Sequence, residues 1–292
     1  MSRPGGIWSL IVHGGAKEIG SGDEQANRDG LAEALDAGRR VLESGGSAVD
    51  ACEASVRVLE RLAVFNAGYG SVLNAAGDVE MCSGFMDGAT LDVGAVGAVK
   101  GVLHPVSIAR AMLRETPVLL VGEGAALFAR EKGAEMASPD ALITRKALED
   151  LCAEHDTVGA VALDRDGNLA AATSTGGLTG AAVGRMGDSA LPGCGYYADN
   201  RLGAVAFSGH GEGIARLVLA AQVMASIGRD GPEAAIARAV GQMPRVGGDA
   251  GGIGMSPDGS SGWAHNSRHF AVAAARSSQP DGRVRLRKDE DR

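Results

Sequence analysis

The sequence predicts an α+β fold in which antiparallel strands are covered by helices, and three observations carry that prediction. Residues 158–163 and 169–175 are apolar at nearly every position and flank the turn Asp164-Arg165-Asp166-Gly167-Asn168, so they read as a hairpin covered on both faces. Helical sequence runs over about 24–42, and a second helix begins at Ser47. Two further helices, 213–227 and 232–243, stand between late strands. With 292 residues the chain can bury a sizeable core, as one large domain or two small ones. Aromatics are only 3%, so that core must be built from Ala, Val and Leu.

In chain order, Ile7–Val12 reads as a short buried strand that stops at His13-Gly14-Gly15. Ser47 and Asp50 form a capping pattern, and Val49, Cys52, Val56 and Leu59 then share one helix face. A Gly- and Asn-rich loop, FNAGYGSVLNAAGD, separates this helix from strands near 79–83 and 89–99 and a helix near 105–113. Residues 117–133 read as strand, turn, helix. Residues 137–156 are polar and read as a linker holding at most a short helix at 141–152. After the central hairpin, 201–208 is a further strand and 252–266 a hairpin with a wide turn. No internal repeat is visible, and the 45 glycines follow no collagen-like period.

The net charge of −8 argues against a nucleic-acid partner. The basic run at 283–288 is followed at once by acids and reads as a solvated, frayed tail. Cys52, Cys82, Cys152 and Cys194 are scattered without metal-site or disulfide spacing. The first apolar run is too short for a signal peptide, and no stretch approaches the ~18 apolar residues of a membrane span. A soluble, cytoplasmic protein is the expectation.

Two glycine-rich segments invite chemistry. Ser208–Ala221, SGHGEGIARLVLAA, follows a strand and opens a helix, as a dinucleotide site would. It is one residue short of that fingerprint, so a nucleotide-binding oxidoreductase is a distant alternative. Exposed amides at such a start would suit a phosphate oxygen or a developing oxyanion. Gly184–Ser189, GRMGDS, sets Arg185 and Asp188 three apart: either a surface ion pair or a clamp for a carboxylate and an ammonium. Thr157 opens a buried strand, where a β-branched residue is ordinary. There is no G-x-S-x-G elbow and no H-E-x-x-H spacing, which leaves serine-elbow and metal catalysis without support.

Taken together, IVHGGA at the start, FNAGYGSV, MDGATLDVGAV, HDTVGAVALDRDGNLAAATSTGG, GRMGDS and GGDAGGI resemble the plant-type L-asparaginase/isoaspartyl peptidase family of N-terminal nucleophile hydrolases. The likeness spans nearly the whole chain and is most specific from His155 to Ser189. Glycosylasparaginases share the HDT junction and a PGCGYYAD-like segment, so glycosylasparagine hydrolysis is the nearest alternative. The resemblance implies a four-layer αββα sandwich formed by one domain, 1–292. It implies cutting between Asp156 and Thr157 into chains 1–156 and 157–292, with 137–156 as the linker. Thr157 would then be nucleophile, its bared α-amino group serving as base. Thr175 would hydrogen-bond the nucleophile, and Asn66 would support its amino end. Ser208 and Gly209 would form the oxyanion hole. Arg185 would bind the substrate α-carboxylate, and Asp188, with the Gly211 carbonyl, its α-ammonium.

No catalytic cofactor is implied; loop 59–70 resembles one that binds a structural sodium ion through backbone carbonyls. The partners implied are a small molecule or dipeptide substrate and a second cut protomer in a dimer, with neither nucleic acid nor membrane. Three departures from the family pattern stand out. Thr-Gly-Thr-Gly reads Ser208-Gly209-His210-Gly211, which removes a rotamer-restricting methyl and places a bulkier His210 where it could alter the leaving-group side. Gly-Asp-Ser-Pro ends in Ala190, and HGGAG reads HGGAK at Lys17.

Overall fold

A computed structural model describes residues 6–149 and 156–291. The first part of the chain runs β1 (Ser9–Lys17), α1 (Glu24–Glu43), α2 (Ala48–Arg61), β2 (Met81–Asp87), β3 (Val93–Val99), α3 (Pro105–Ala111), β4 (Leu119–Val121), α4 (Gly122–Glu131) and α5 (Arg145–Glu149). The central hairpin is β5 (Val158–Leu163) and β6 (Leu169–Thr175), followed by β7 (Tyr196–Asp199) and β8 (Gly203–Gly209). Then come α6 (Gly211–Leu217), α7 (Leu219–Met224), α8 (Ile227–Asp230), α9 (Pro232–Val240), β9 (Ala250–Met255), β10 (Ser261–His265), β11 (His269–Arg276) and β12 (Gln279–Arg285).

The strands form two sheets, one ordered β12-β11-β1-β5-β6-β2-β3-β4 and one ordered β10-β9-β8-β7. Among the strand pairs of the described residues, only β3 and β4 run parallel. Both strands of the central hairpin are buried along their whole length, as their continuous apolar sequence predicts. The alternation of side chains across a strand explains what they bury against. Leu10 and Val12 of β1 join Leu31, Val56 and Leu59 of α1 and α2 in one cluster. Ile11, between them, joins Val161 of β5 and Ala206, Ile253 and Trp263 of the smaller sheet in another. A third cluster joins Val205 and Phe207 of β8 to Ile214, Val223 and Ile236 of the later helices.

Local chemistry accounts for most boundaries. Ser47 Oγ accepts the Asp50 amide at 3.0 Å, which caps α2 as the S-x-x-D pattern predicts. Cys52, Val56 and Leu59 on its apolar face are fully buried, each such side chain stabilising the fold by roughly 1.5–3 kcal/mol. The 117–133 segment is β4 and α4, as expected.

Three expectations need correction. β1 does not stop at His13: it continues to Lys17, with a register irregularity between His13 and Ala16 that absorbs the two glycines. The 213–227 helix is broken into α6 and α7 at Val218, which takes a left-handed φ of 51°. The break turns the amides of Ala220 and Ala221 onto the carbonyls of Cys194 and Gly193. The basic run is no frayed tail: Arg283 and Arg285 lie in β12 against β11, and Leu286 is buried. In the linker α5 covers Arg145–Glu149, within the expected 141–152, and residues 150–155, with Cys152 and His155, lie outside the described residues. β7 and β11 had no counterpart in the sequence reading. Among the described residues no helix is long and apolar enough to cross a membrane.

Candidate active site

The hairpin register places the central threonine. Val158 pairs with Ser174, so one step further Thr157 stands opposite Thr175. Two neighbouring groups fix it. The Thr157 amide donates to Ser208 Oγ at 3.0 Å, and Thr157 Oγ1 lies 3.0 Å from Ser189 Oγ. Ser208 comes from the end of β8 in the smaller sheet, so this hydroxyl joins the two sheets at the site. Its oxygen also accepts the Ala16 amide at 3.0 Å. Two accepted bonds fill its lone pairs and leave its one O–H proton to donate elsewhere. Ser189 is held in turn by Thr173 of β6, whose hydroxyl donates to the Ser189 carbonyl at 2.7 Å.

Asp156 precedes the threonine and is almost fully buried. The Lys17 ammonium pairs with its carboxylate, and the Asn66 amide donates to the same oxygen at 3.4 Å. Gly15 sits directly beneath it in a left-handed conformation, φ 108°, where a Cβ would strike the Asp156 carboxylate. The Asn66 side chain ties down the turn after β6: its Nδ2 donates to the Gly177 carbonyl at 2.9 Å and its Oδ1 accepts the Val72 amide at 3.1 Å. The Thr175 hydroxyl accepts the Gly177 amide at 3.1 Å. In the joined chain, then, Asn66 reaches the Asp156 side of the junction, and the Thr157 nitrogen is held by Ser208.

Asp188 and Gly211 meet on the other side. A Cβ on Gly211 would lie 2.9 Å from Asp188 Oδ1 and 3.2 Å from Arg185 Nη2, so only glycine lets all three pack together. Asp188 is 2% exposed, and its Oδ2 has no hydrogen-bond partner among the described residues. Burial pushes its carboxyl up to about 7, partly offset by backbone bonding and the Arg185 charge. Arg185 does not pair with Asp188. Its Nε and Nη2 grip Glu212 of α6 at 2.8 and 2.7 Å. Burial works against the guanidinium charge, but the Glu212 bonds outweigh it; the same bonds hold Glu212 at about 2. Gly209 takes φ 139°, and a Cβ there would meet Ala250 Cα at 2.6 Å, so the end of β8 lies close on β9.

His13 lies under the junction, fully buried, opposite Gly159 in the register. Burial lowers its pKa to about 3 against a raising contact with the Thr157 backbone, so the ring is neutral and no proton donor at ordinary pH.

The structure therefore brings every sequence-predicted site residue into one region. It adds Ser189 on the threonine hydroxyl, Lys17 on Asp156 and Glu212 on Arg185. Ser189 and Glu212 lie inside the two quoted glycine-rich segments, but nothing in their spacing marks a partner. His210 caps α6, its Nδ1 accepting the Gly213 amide at 3.2 Å. The dinucleotide reading fails on topology: β8, which leads into that turn, pairs antiparallel with both β7 and β9.

Fold and site define a mixed α and β protein, built on two sheets, whose centre is a buried threonine held by the Ser208 hydroxyl of the smaller sheet and the Ser189 hydroxyl of the loop after β6. The chain belongs to the asparaginase family: a family model of that description matches residues 6–156 and 149–283. It is 47% identical over 227 residues to the isoaspartyl peptidase/L-asparaginase of Mus musculus, covering 72% of this chain and 70% of that protein. The protein of the same name from Xenopus laevis is 40% identical over 286 residues, covering 92% and 93%. The isoaspartyl peptidase of Salmonella typhimurium is 39% identical over 287 residues, covering 88% and 92%.

Proposed function

We propose that the chain is an isoaspartyl peptidase/L-asparaginase of the threonine type that matures by cutting its own Asp156–Thr157 bond. The observation that carries this reading is the placement of Thr157: its hydroxyl is 3.0 Å from Ser189 Oγ, its amide is on Ser208, and it immediately precedes the fully buried strand β5. In maturation, Thr157 Oγ1 attacks the Asp156 carbonyl carbon. The C–N bond breaks to give an ester, the departing Thr157 nitrogen takes up the hydroxyl proton to become a free amine, and water then releases the Asp156 α-carboxylate. In the cut chain the free α-amino group has a pKa of about 7.7–8.0, so a useful fraction is neutral at physiological pH and takes the hydroxyl proton in turnover without a histidine. The neutral, buried His13 leaves that role open.

In turnover Thr157 attacks the side-chain carbonyl of asparagine or the isopeptide carbonyl of a β-aspartyl dipeptide. Ammonia or an amino acid leaves with the proton, and water hydrolyses the β-aspartyl ester. Asp188, buried with an open oxygen, takes the substrate ammonium together with the Gly211 carbonyl. Arg185 takes the α-carboxylate in exchange for Glu212. The Ser208 hydroxyl and Gly209 amide stabilise the oxyanion, where one lost donor typically costs about 2.7–4 kcal/mol. Thr175 supports the nucleophile from across the register.

The same reading makes residues 1–292 one domain of four layers, helices-sheet-sheet-helices; the three clusters on the two faces of each sheet support it. Its cut chains are 1–156 and 157–292, and two such protomers form a dimer. In loop 59–70 the carbonyl oxygens of Phe65 and Ala63 both face Gly70, at 1.9 and 3.1 Å from where a Cβ would stand. On this reading a sodium ion held by backbone carbonyls of loop 59–70 would order the loop without entering the reaction.

The test is a panel of β-Asp-Leu, L-asparagine and N-acetylglucosaminyl-asparagine offered to the matured protein. Hydrolysis of the first two well above the third is expected. Preference for the glycosylated substrate would overturn the assignment.

A further inference from the structure

Lys17 replaces a glycine of the family's HGGAG pattern, and it is built into the site rather than onto the surface. It ends β1, one residue past the Ala16 amide that shares Ser208 Oγ with Thr157. Its ammonium is fixed on three sides. It pairs with the Asp156 carboxylate, donates to the Val64 carbonyl at 3.1 Å, and lies 5.6 Å from the centre of the Phe65 ring. The side chain is 13% exposed, so most of its hydration has been exchanged for these contacts.

This arrangement cannot persist through turnover. Asp156 stands against the nucleophile, and a substrate carbonyl approaches Thr157 Oγ1 only after Asp156 has moved away. Cutting the 156–157 bond removes the covalent tie and adds a second negative charge, the new chain end, beside the first. Lys17 stays, held by Val64 and Phe65, and it needs another anion.

A β-aspartyl dipeptide supplies one. It carries two free carboxylates, the α-carboxylate of its aspartyl part and the carboxylate of its leaving residue, whereas asparagine carries one. The site holds two cations, Arg185 from the loop after β6 and Lys17 from β1. Arg185 takes the first of these carboxylates, which leaves Lys17 for the second.

We propose that Lys17 is a specificity residue which, once Asp156 has left, binds the free carboxylate of the amino acid released from a β-aspartyl dipeptide. This deepens the reading of the same site as an isoaspartyl peptidase and rests on it. It makes dipeptides with a free C-terminus better substrates than amidated ones.

The experiment compares kcat/KM of the matured protein for β-Asp-Leu and for β-Asp-Leu amide, which differ only in that carboxylate. The wild type favours the free acid by about tenfold, the effect of one charge-assisted hydrogen bond. Lys17→Met brings the ratio close to one, and Lys17→Arg keeps most of the preference. If Lys17→Met matures poorly, wild type alone decides: added salt lowers the ratio by weakening the acid and not the amide. A wild-type ratio near one overturns the proposal. So does a Lys17→Met protein that loses both substrates equally, because Lys17 would then serve the aspartyl part. Hydrolysis of neither dipeptide by matured protein would instead refute the parent reading of the site.

Discussion

Asp156 and Asp188 flank the same threonine, both nearly sealed from water, and their surroundings are opposite. Asp156 already has its cation in Lys17, a hydrogen bond from the Asn66 amide, and glycine beneath it. Asp188 keeps an oxygen without a hydrogen-bond partner among the described residues, and burial pushes its carboxyl up to about 7. A buried carboxylate that has its cation is part of the folded chain. One held open carries a desolvation cost that an incoming ammonium relieves. On the proposed reading, the difference separates the group that occupies the site before maturation from the group that serves the substrate afterwards.

The severest way to break this comparison is to prevent Asp156 from leaving. Thr157→Ala should abolish cutting and lower turnover by about 10⁴ or more, since nucleophile and base vanish together; intact mass and an amidase assay check both. Thr157→Ser should still cut and keep some turnover. Asp188→Asn sharpens the other half. With the charge gone, kcat/KM should fall by about 10²-fold, chiefly through KM, while the chain still cuts, as steady-state kinetics on the matured protein will show. The smallest effect is pH. Asp188 is a carboxylate above about 7 and a neutral acid below it. KM for aspartyl compounds should therefore fall as pH rises through 7, by about tenfold between pH 6 and 8. Asp188→Asn should flatten that dependence, leaving only the kcat change from the Thr157 amine.

The central hairpin was legible because two physical constraints agree there. A strand covered on both faces must be continuously apolar, and a tight turn takes Asp-Gly; residues 158–175 satisfy both. The α2 start was legible through Ser47 for the same reason. Elements were missed where sequence and role diverge. β12 is an edge strand facing water, so its QPDGRVR composition reads as a tail. β1 crosses two glycines by a register shift that local propensity does not announce. Val218 breaks a helix with a β-branched residue in a conformation it rarely adopts, and only the Gly193 and Cys194 carbonyls explain it. In the site, the residue types came from the motif segments. The pairings Lys17–Asp156, Arg185–Glu212 and Thr157–Ser189 span 139, 27 and 32 positions, and such distances are set by tertiary packing.

The central claim is that Thr157 acts only as a chain end. Freshly purified protein should be sampled over time, with denaturing electrophoresis, intact mass and β-Asp-Leu hydrolysis read on each sample. Activity should rise in proportion to fragments of 156 and 136 residues, the second beginning at Thr157. Full hydrolysis by protein in which Asp156 and Thr157 are still joined would contradict the account.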